Sequence, residues 1–204
     1  YNSPASRQDK LIHDWKERIS NLHTPPSHQS DVLVLLPCSA TKPYRLSQSH
    51  HRFLKNIPSN RMHQVMVTSP LGLVPRELED IWPAAHYDIP VTGDWDADEL
   101  GIINSMIIDI CKRSNYSYVI NHSGIDLELD MVVVKGTRRG TAGSKESLSE
   151  LNNSVIESVE MYGLDDVPEE LNRIELMKSR SRFIHGTDDW LEGAIVSGLS
   201  LIHI

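Results

Sequence analysis

The sequence contains few of the residues that mark secreted, membrane-embedded or zinc-finger proteins. Of its 204 residues only two are cysteines, Cys38 and Cys111, which is too few for a disulfide framework or a cysteine-rich zinc site. No apolar run approaches the roughly 20 residues that a membrane-spanning helix requires. We therefore expect no membrane span, no metal and no bound cofactor, and a chain that works in the reducing cytoplasm. Four histidines also share no metal-ligand spacing: His13, His23, His28 and His63.

The chain also lacks the excess of positive charge that is typical of nucleic-acid-binding proteins. Its 20 lysines and arginines face 28 carboxylates, a net charge of −8 at pH 7, so no global positive field attracts a nucleic acid. Residues 37–61 depart from this balance, because they contain several lysines and arginines and no carboxylate. Such a basic strip is a candidate phosphate contact, but charge alone equally predicts a solvated helix face.

What the sequence does contain is an alternation of strand and helix signals from residue 31 onward. Residues 31–36 form a short apolar run of branched side chains, typical of a strand buried on both faces of a parallel sheet. The alternation predicts a three-layer α/β/α domain with a mainly parallel central sheet. We assign residues 1–28 to an N-terminal helix and linker and residues 29–204 to this domain with its C-terminal helices.

Individual elements follow from periodicity and turn signals. We predict further strands over residues 64–68, 87–90, 116–121 and 129–134. Helices are predicted over residues 5–22, after Ser47 or Ser49, near Pro75, from Asp96, over residues 144–162, and from Pro168 to Gly186. The first two helices are expected to bury Leu11, Trp15, Ile19, Leu22, Phe53, Leu54 and Ile57. The chain opens on Tyr1 and stops within an apolar stretch, so we expect a fragment of a longer protein.

Chemistry is expected in the loops that leave the carboxyl ends of the parallel strands, at residues 37–50, 69–77 and 121–124. In the first loop, Cys38 leaves a buried strand near a lysine and a histidine and precedes a helix. This setting favours a lowered thiol pKa, and a thiolate can attack a nitrile carbon. The alternative role of Cys38 is that of a small buried hydrophobic residue.

The same loop resembles the signature of the archaeosine synthase family, since it has the pattern Pro37-Cys38-x3-Lys42-Pro43-Tyr44-x2-Ser47-x2-His50. Residues 68–79, residues 87–96 and the strand ending at His122 are similar to the same domain. Members of this archaeal family resemble tRNA-guanine transglycosylase (queuine tRNA-ribosyltransferase) at their N-terminus and end in a PUA domain. Neither part is recognisable here, which either a fragment or a naturally split protein would explain. The resemblance implies a fold like that of uracil-DNA glycosylase.

The resemblance also implies a tRNA-modifying transferase. It converts the nitrile of a cyano-deazaguanine base in the tRNA D-arm to an amidine by adding an amine such as lysine, with a radical SAM enzyme as partner. Cys38 then captures the nitrile or lines the pocket, and His50 or Tyr44 delivers a proton. Lys42 holds a phosphate or polarises the nitrile.

Further candidates for substrate binding lie in the strand-end loops, although helix capping, a surface ion pair or a structural histidine explains several of them equally well. They are Pro37, Ser39, Ser47, Ser69, Arg76, Glu77, Asp94 and His122. Two other functions stay open. One is a non-catalytic module that binds a nucleobase or tRNA substrate for a separate catalytic chain, and the other is a glycosylase-like hydrolase.

Overall fold

The computed structural model of the chain describes residues 10–86 and 95–186. The strand predicted over residues 87–90, and Asp94, lie outside these ranges. The helices are α1 (Lys10–Asn21), α2 (Gln48–Lys55), α3 (Ala97–Ser114), α4 (Lys145–Tyr162) and α5 (Glu169–His185). The strands are β1 (Val32–Pro37), β2 (Met62–Thr68), β3 (Gly72–Pro75), β4 (Tyr118–Asn121) and β5 (Val133–Gly136). Short 3₁₀ turns occur at Ser27–Gln29, Tyr44–Leu46 and Arg76–Leu78.

The strands form one sheet in the order β3-β2-β1-β4-β5. Strand β1 is parallel to β2 and β4, β4 is parallel to β5, and β3 runs antiparallel to β2 at one edge. Residues 32–36 of the central strand β1 are fully buried, as expected for a parallel strand covered on both faces. The mainly parallel sheet confirms the predicted α/β class.

Helices cover both faces of the sheet. The hydroxyl of Ser158 in α4 contacts the sulfur of Met62 at 3.8 Å. The next residue, His63, points to the opposite face because side chains alternate along a strand, and it stacks on His23, which follows α1. The three-layer arrangement is thus confirmed. Within the described ranges, no helix has the length and apolar character needed to cross a bilayer.

Several local predictions were wrong. The segment around Pro75 forms the edge strand β3 and a 3₁₀ turn instead of a helix, since Leu73 and Val74 are fully buried beside β2. The last strand occupies 133–136 rather than 129–134. Leu11, Leu22 and Leu54 are exposed instead of buried. The buried stripe of α1 is narrower than the apolar pattern suggested and consists of Ile12, Trp15 and Ile19.

We predict that Leu35→Ala in β1 lowers the free energy of unfolding by about 2–5 kcal/mol, because it leaves a cavity in the middle of the sheet. Urea denaturation measures this change. The matched control is Leu22→Ala, the same change at a side chain that is 56% exposed, which should cost about 0.5 kcal/mol or less. Equal effects of the two variants would contradict the described core.

Candidate functional site

A cavity opens between the carboxyl ends of β1 and β4, where the strand order reverses. In an open α/β sheet, such a reversal leaves a crevice in which ligands bind. The cavity has a volume of about 520 Å³, which is enough for a molecule of nucleobase size. It is lined by residues that follow β1, β4 and β5 and by residues at the start of α3: Pro37, Cys38, Trp95, Leu100, Asn104, Ser123, Gly124, Ile125, Asp126 and Arg138.

Cys38 contributes a free thiol to this cavity. It comes directly after β1 and is half-buried. Burial raises the pKa of the thiol, and the hydroxyl of Thr68 and the charge of Lys42 oppose that shift without cancelling it. The sequence predicted a lowered pKa. The difference arises because the loop packs onto the sheet and removes the sulfur from water.

Tyr44 and Lys42 do not line the cavity. Tyr44 is fully buried, and its hydroxyl donates to Thr68 Oγ1 at 3.2 Å. The Lys42 ammonium lies over the Tyr44 ring, 5.7 Å from its centre, and donates to the Ser39 carbonyl at 3.4 Å. In the part of the chain that the structure describes, Cys38 alone of the four proposed catalytic residues lines this cavity.

His50 is fully buried in α2 and uses both of its ring nitrogens. Arg76 Nη2 lies 2.9 Å from Nδ1, and because a guanidinium only donates, Nδ1 accepts and the proton is on Nε2. Nε2 then donates to the Pro37 carbonyl at 3.0 Å. Burial and the Arg76 charge lower the pKa of His50 to about 3. His50 is therefore a neutral residue that holds the end of β1.

Two of the three serine candidates, Ser39 and Ser47, have local hydrogen-bond partners. Ser47 is the N-cap of α2 and accepts from the His50 amide at 3.1 Å, so the predicted capping role is confirmed. The Ser39 hydroxyl accepts from the Thr41 amide at 3.3 Å. Ser69 Oγ is buried and makes no hydrogen bond within the described ranges. Ser47 and Ser39 are thus engaged in shaping the loop after β1.

The remaining candidates lie in buried polar networks outside the cavity lining. Arg76 donates to the Gln64 side chain as well as to His50. Glu77, for which the sequence left substrate binding and a surface ion pair open, is buried and accepts from His23. His122 is fully buried, with ring nitrogens 2.7 Å from Thr137 Oγ1 and 2.9 Å from the Ala142 carbonyl.

Several lining residues were not predicted from the sequence. Asn104 lies in α3 among apolar neighbours, and its Oδ1 is buried without a hydrogen-bond partner in the described residues. In the sequence, Asn104 could have been identified as a polar residue on an otherwise apolar helix face.

Arg138 donates to the Ser123 carbonyl at 3.0 Å and passes over Gly124, where a Cβ would lie 2.3 Å from Nη1. Gly124 has φ +89°, so only glycine fits there without strain.

Some basic side chains of residues 37–61 form ion pairs, and another lines a groove. Arg45 pairs with Asp80 at 2.5 Å, and Arg61 pairs with Asp31 at 3.5 Å. Arg52 instead lines a groove of about 500 Å³ together with Lys145 of α4. Much of the local positive charge is therefore neutralised by neighbouring carboxylates.

Comparison with known proteins gives a family. A family model described as a domain of unknown function, DUF5591, matches residues 12–155. The matched range contains all five strands of the sheet and the loops that line the cavity.

Two curated relatives carry a functional name. Archaeosine synthase subunit alpha of Methanosarcina acetivorans is 37% identical over 177 residues, which cover 74% of this chain and 28% of that protein. Archaeosine synthase of Methanocaldococcus jannaschii is 34% identical over 205 residues, which cover 91% of this chain and 34% of that protein. This chain thus spans about a third or less of the length of these relatives.

One solved structure shares the fold. The crystal structure of AF0587, a protein of unknown function, matches with a TM-score of 0.59 and 19% sequence identity, covering 85% of this chain and 57% of that one. The likeness supports the α/β architecture. The resemblance to uracil-DNA glycosylase stays a prediction.

We predict that His50 makes folding sensitive to acid. Its pKa is about 3 in the folded chain and about 6.5 in the unfolded chain, so unfolding takes up a proton between these values and stability falls as pH decreases through this window. In His50→Gln, an amide can replace both hydrogen bonds. Between pH 6 and 4, the free energy of unfolding of this variant should therefore change with pH less steeply than that of the wild type, by about 1.4 kcal/mol per pH unit.

Denaturation at a series of pH values measures this slope. The control is His51→Gln, the neighbouring and exposed histidine, which should leave the slope unchanged. An unchanged slope in His50→Gln would show that folding does not lower the pKa of His50.

Proposed function

The chain belongs to the DUF5591 family and is a homologue of archaeosine synthases, and from this premise we propose that it is the base-modifying domain of a tRNA-modifying transferase in archaeosine biosynthesis. Its family membership confirms the resemblance found in the sequence. In the proposed reaction, an amine adds to the nitrile of a cyano-deazaguanine base and forms an amidine. The main support is the position of a thiol and an unpartnered amide oxygen in one cavity at the strand reversal.

The base is proposed to bind between Trp95 and Asn104. An indole offers a flat apolar surface on which any base can stack. The buried Asn104 Oδ1 lacks a donor among the described residues, and a buried acceptor gains most when a ligand N–H satisfies it. A deazaguanine has such N–H groups on its pairing edge.

Cys38 is proposed to act as the nucleophile. Its sulfur adds to the nitrile carbon, and the thiol proton moves to the nitrile nitrogen, which gives a thioimide. The amine nitrogen then attacks the same carbon, the C–S bond breaks and an amine proton returns to sulfur. The net change is the addition of an amine N–H across the nitrile, so no oxidant or reductant is needed. Because burial raises the thiol pKa, the thiol loses its proton only as the sulfur attacks, and this is the proton that the nitrile nitrogen takes up.

The amine donor is proposed to be a free amino acid such as lysine. Arg138 and the exposed Asp126 both line the cavity, and they offer a cation for a carboxylate and an anion for an ammonium group. The Arg138 guanidinium is fixed by its bonds to the carbonyls of Ser123 and Gly140. A fixed donor orients the amino acid at little entropic cost.

The other residues of the loop signature are proposed to position the thiol. His50 holds the Pro37 carbonyl, and Tyr44 fixes the Thr68 hydroxyl that contacts the sulfur. The Lys42 charge favours the thiolate form during attack. In this scheme the thiol gives its proton to the nitrile nitrogen and the amine returns a proton to the sulfur, without a separate acid or base.

The substrate is proposed to be tRNA, and catalysis to require a partner. Three curated relatives, that of Methanosarcina acetivorans among them, are named archaeosine synthase subunit alpha, which supports a second subunit for this chain as well. We propose a radical SAM enzyme as the partner that completes the conversion to archaeosine. The groove of Arg52 and Lys145 is the proposed contact for tRNA phosphates.

A second candidate function is a binding module without chemistry. The raised pKa of Cys38 supports it, because a protonated thiol can line a base pocket without reacting. Both functions require the same base site, so they differ in whether Cys38 forms a covalent bond with the substrate.

We predict that Cys38→Ala abolishes the covalent adduct and lowers amidine formation by at least about 100-fold, the scale on which one reacting group contributes. Intact-mass spectrometry detects the adduct, and nucleoside analysis of cyano-deazaguanine tRNA incubated with lysine detects the product. Cys111→Ala is the matched control, because that thiol is buried in α3 outside the cavity. Normal turnover in Cys38→Ala with base binding retained would support the binding module instead.

We predict that Asn104→Leu weakens binding of the cyano-deazaguanine base about 10-fold, since the lost hydrogen bond contributes about 1.4 kcal/mol. The variant should be at least as stable as the wild type, because it removes an unpaired buried oxygen. Calorimetric titration and thermal unfolding measure the two effects. Asn153→Leu on the exposed surface of α4 is the control, and unchanged affinity in Asn104→Leu would argue against this base site.

A further inference from the structure

A second group of titratable side chains lies in the core, on the sheet face covered by α1. We call His23, His63 and Glu77 the core cluster. Their side chains are at most 1% exposed. His23 Nε2 is 2.7 Å and His63 Nε2 is 3.3 Å from the same oxygen, Glu77 Oε1. The two imidazole rings stack with their centres 5.4 Å apart.

The hydrogen bonds of the core cluster do not satisfy all of its polar atoms. His63 Nδ1 lies 2.5 Å from the Tyr116 hydroxyl, and the Ser179 hydroxyl lies 3.2 Å from Glu77 Oε1. Glu77 Oε2 and His23 Nδ1 are buried without a partner among the described residues. An incompletely paired carboxylate in a protein core is costly unless a positive charge compensates it.

The guanidinium of Arg113, whose charge acts on His23, is already used by other acceptors. Arg113 donates to the carbonyls of Ile19, Ser20 and His23 at the end of α1. It therefore caps the carbonyl end of that helix instead of pairing with Glu77. Within the described residues, the side-chain partners of the carboxylate are the two histidines and one serine.

We propose that the core cluster binds a divalent transition-metal ion of the zinc type. Two imidazole nitrogens and a carboxylate oxygen are a common zinc ligand set, and the three ligand atoms lie within 4.8 Å of one another. With the metal on Nε2, His63 donates its Nδ1–H to the Tyr116 oxygen, the second contact that ligating histidines usually make. Glu77 Oε2 offers a further oxygen.

The ion would link three segments that are far apart in sequence. His23 follows α1, His63 lies in β2, and Glu77 lies in the 3₁₀ turn after β3. None of the three lines the cavity of the proposed reaction. The role is therefore structural, and the inference does not depend on the proposed function.

The test is refolding with and without zinc. The purified chain is unfolded in guanidinium with a chelator, refolded with Zn²⁺ or with chelator alone, and passed through gel filtration. We expect about one zinc ion per chain in the first sample and a melting temperature at least about 5 °C above that of the second. Refolding with Co²⁺ should give the visible absorption bands of a four-coordinate site.

Variants distinguish this site from surface binding. His63→Gln should lose the bound zinc and the melting shift, and His23→Gln should weaken both. His13→Gln is the control, because His13, Asp14 and Glu17 form an exposed group that can also hold a cation. If His63→Gln does not fold, the Co²⁺ spectrum of the wild type tests whether the four-coordinate site is present. Absence of bound metal and equal melting temperatures, or metal lost only in His13→Gln, would overturn the proposal.

Discussion

The hydrogen bond from His50 to the Pro37 carbonyl determines where the loop after β1 begins. That carbonyl lies at the end of the strand ladder and needs a donor. His50 provides the donor only as one tautomer, and Arg76 selects that tautomer by donating to the other ring nitrogen. Because Cys38 is the next residue, the position of its thiol relative to the cavity depends on this buried chain of groups.

The two faces of the sheet each contain a buried polar network, and both networks start from β2. Gln64 accepts from Arg76 on the face covered by α2. His63, the residue before it, points to the other face and contacts Glu77. A buried polar network stabilises one arrangement of the core only when its members are paired. The α2-side network holds the loop of the cavity, and the incompletely paired network on the α1 side is the proposed zinc site.

In the proposed reaction, the residue that reacts and the residues that bind the substrates come from different segments of the chain. The signature loop contributes the thiol, whereas the groups proposed to bind the base and the amino acid come from α3 and from the loops after β4 and β5. A reaction between a nitrile and an amine needs mainly orientation and proton transfer. A rigid strand end with supporting side chains behind it provides such orientation.

The sequence by itself determined most of the local elements, the α/β class and the family. The apolar run of β1 and the cap residues Ser47 and Asp96 act over a few residues, so their effects can be predicted from neighbouring positions. The loop signature gave the family for the same reason. These features need no knowledge of which strands lie side by side.

Only the tertiary structure decided which side chains meet. Strand β3 pairs with β2 because the edge of the sheet is free to accept it, and Glu77 follows it into the core. Asn104 and Cys38 share a cavity because β4 lies beside β1, and the histidines of the core cluster meet because α1 packs against the face to which His63 points. Residues far apart in sequence meet in this way: His63 and Glu77, 14 positions apart, contact each other, and Cys38 and Asn104, 66 positions apart, line the same cavity. They depend on strand order and register, which no local pattern specifies.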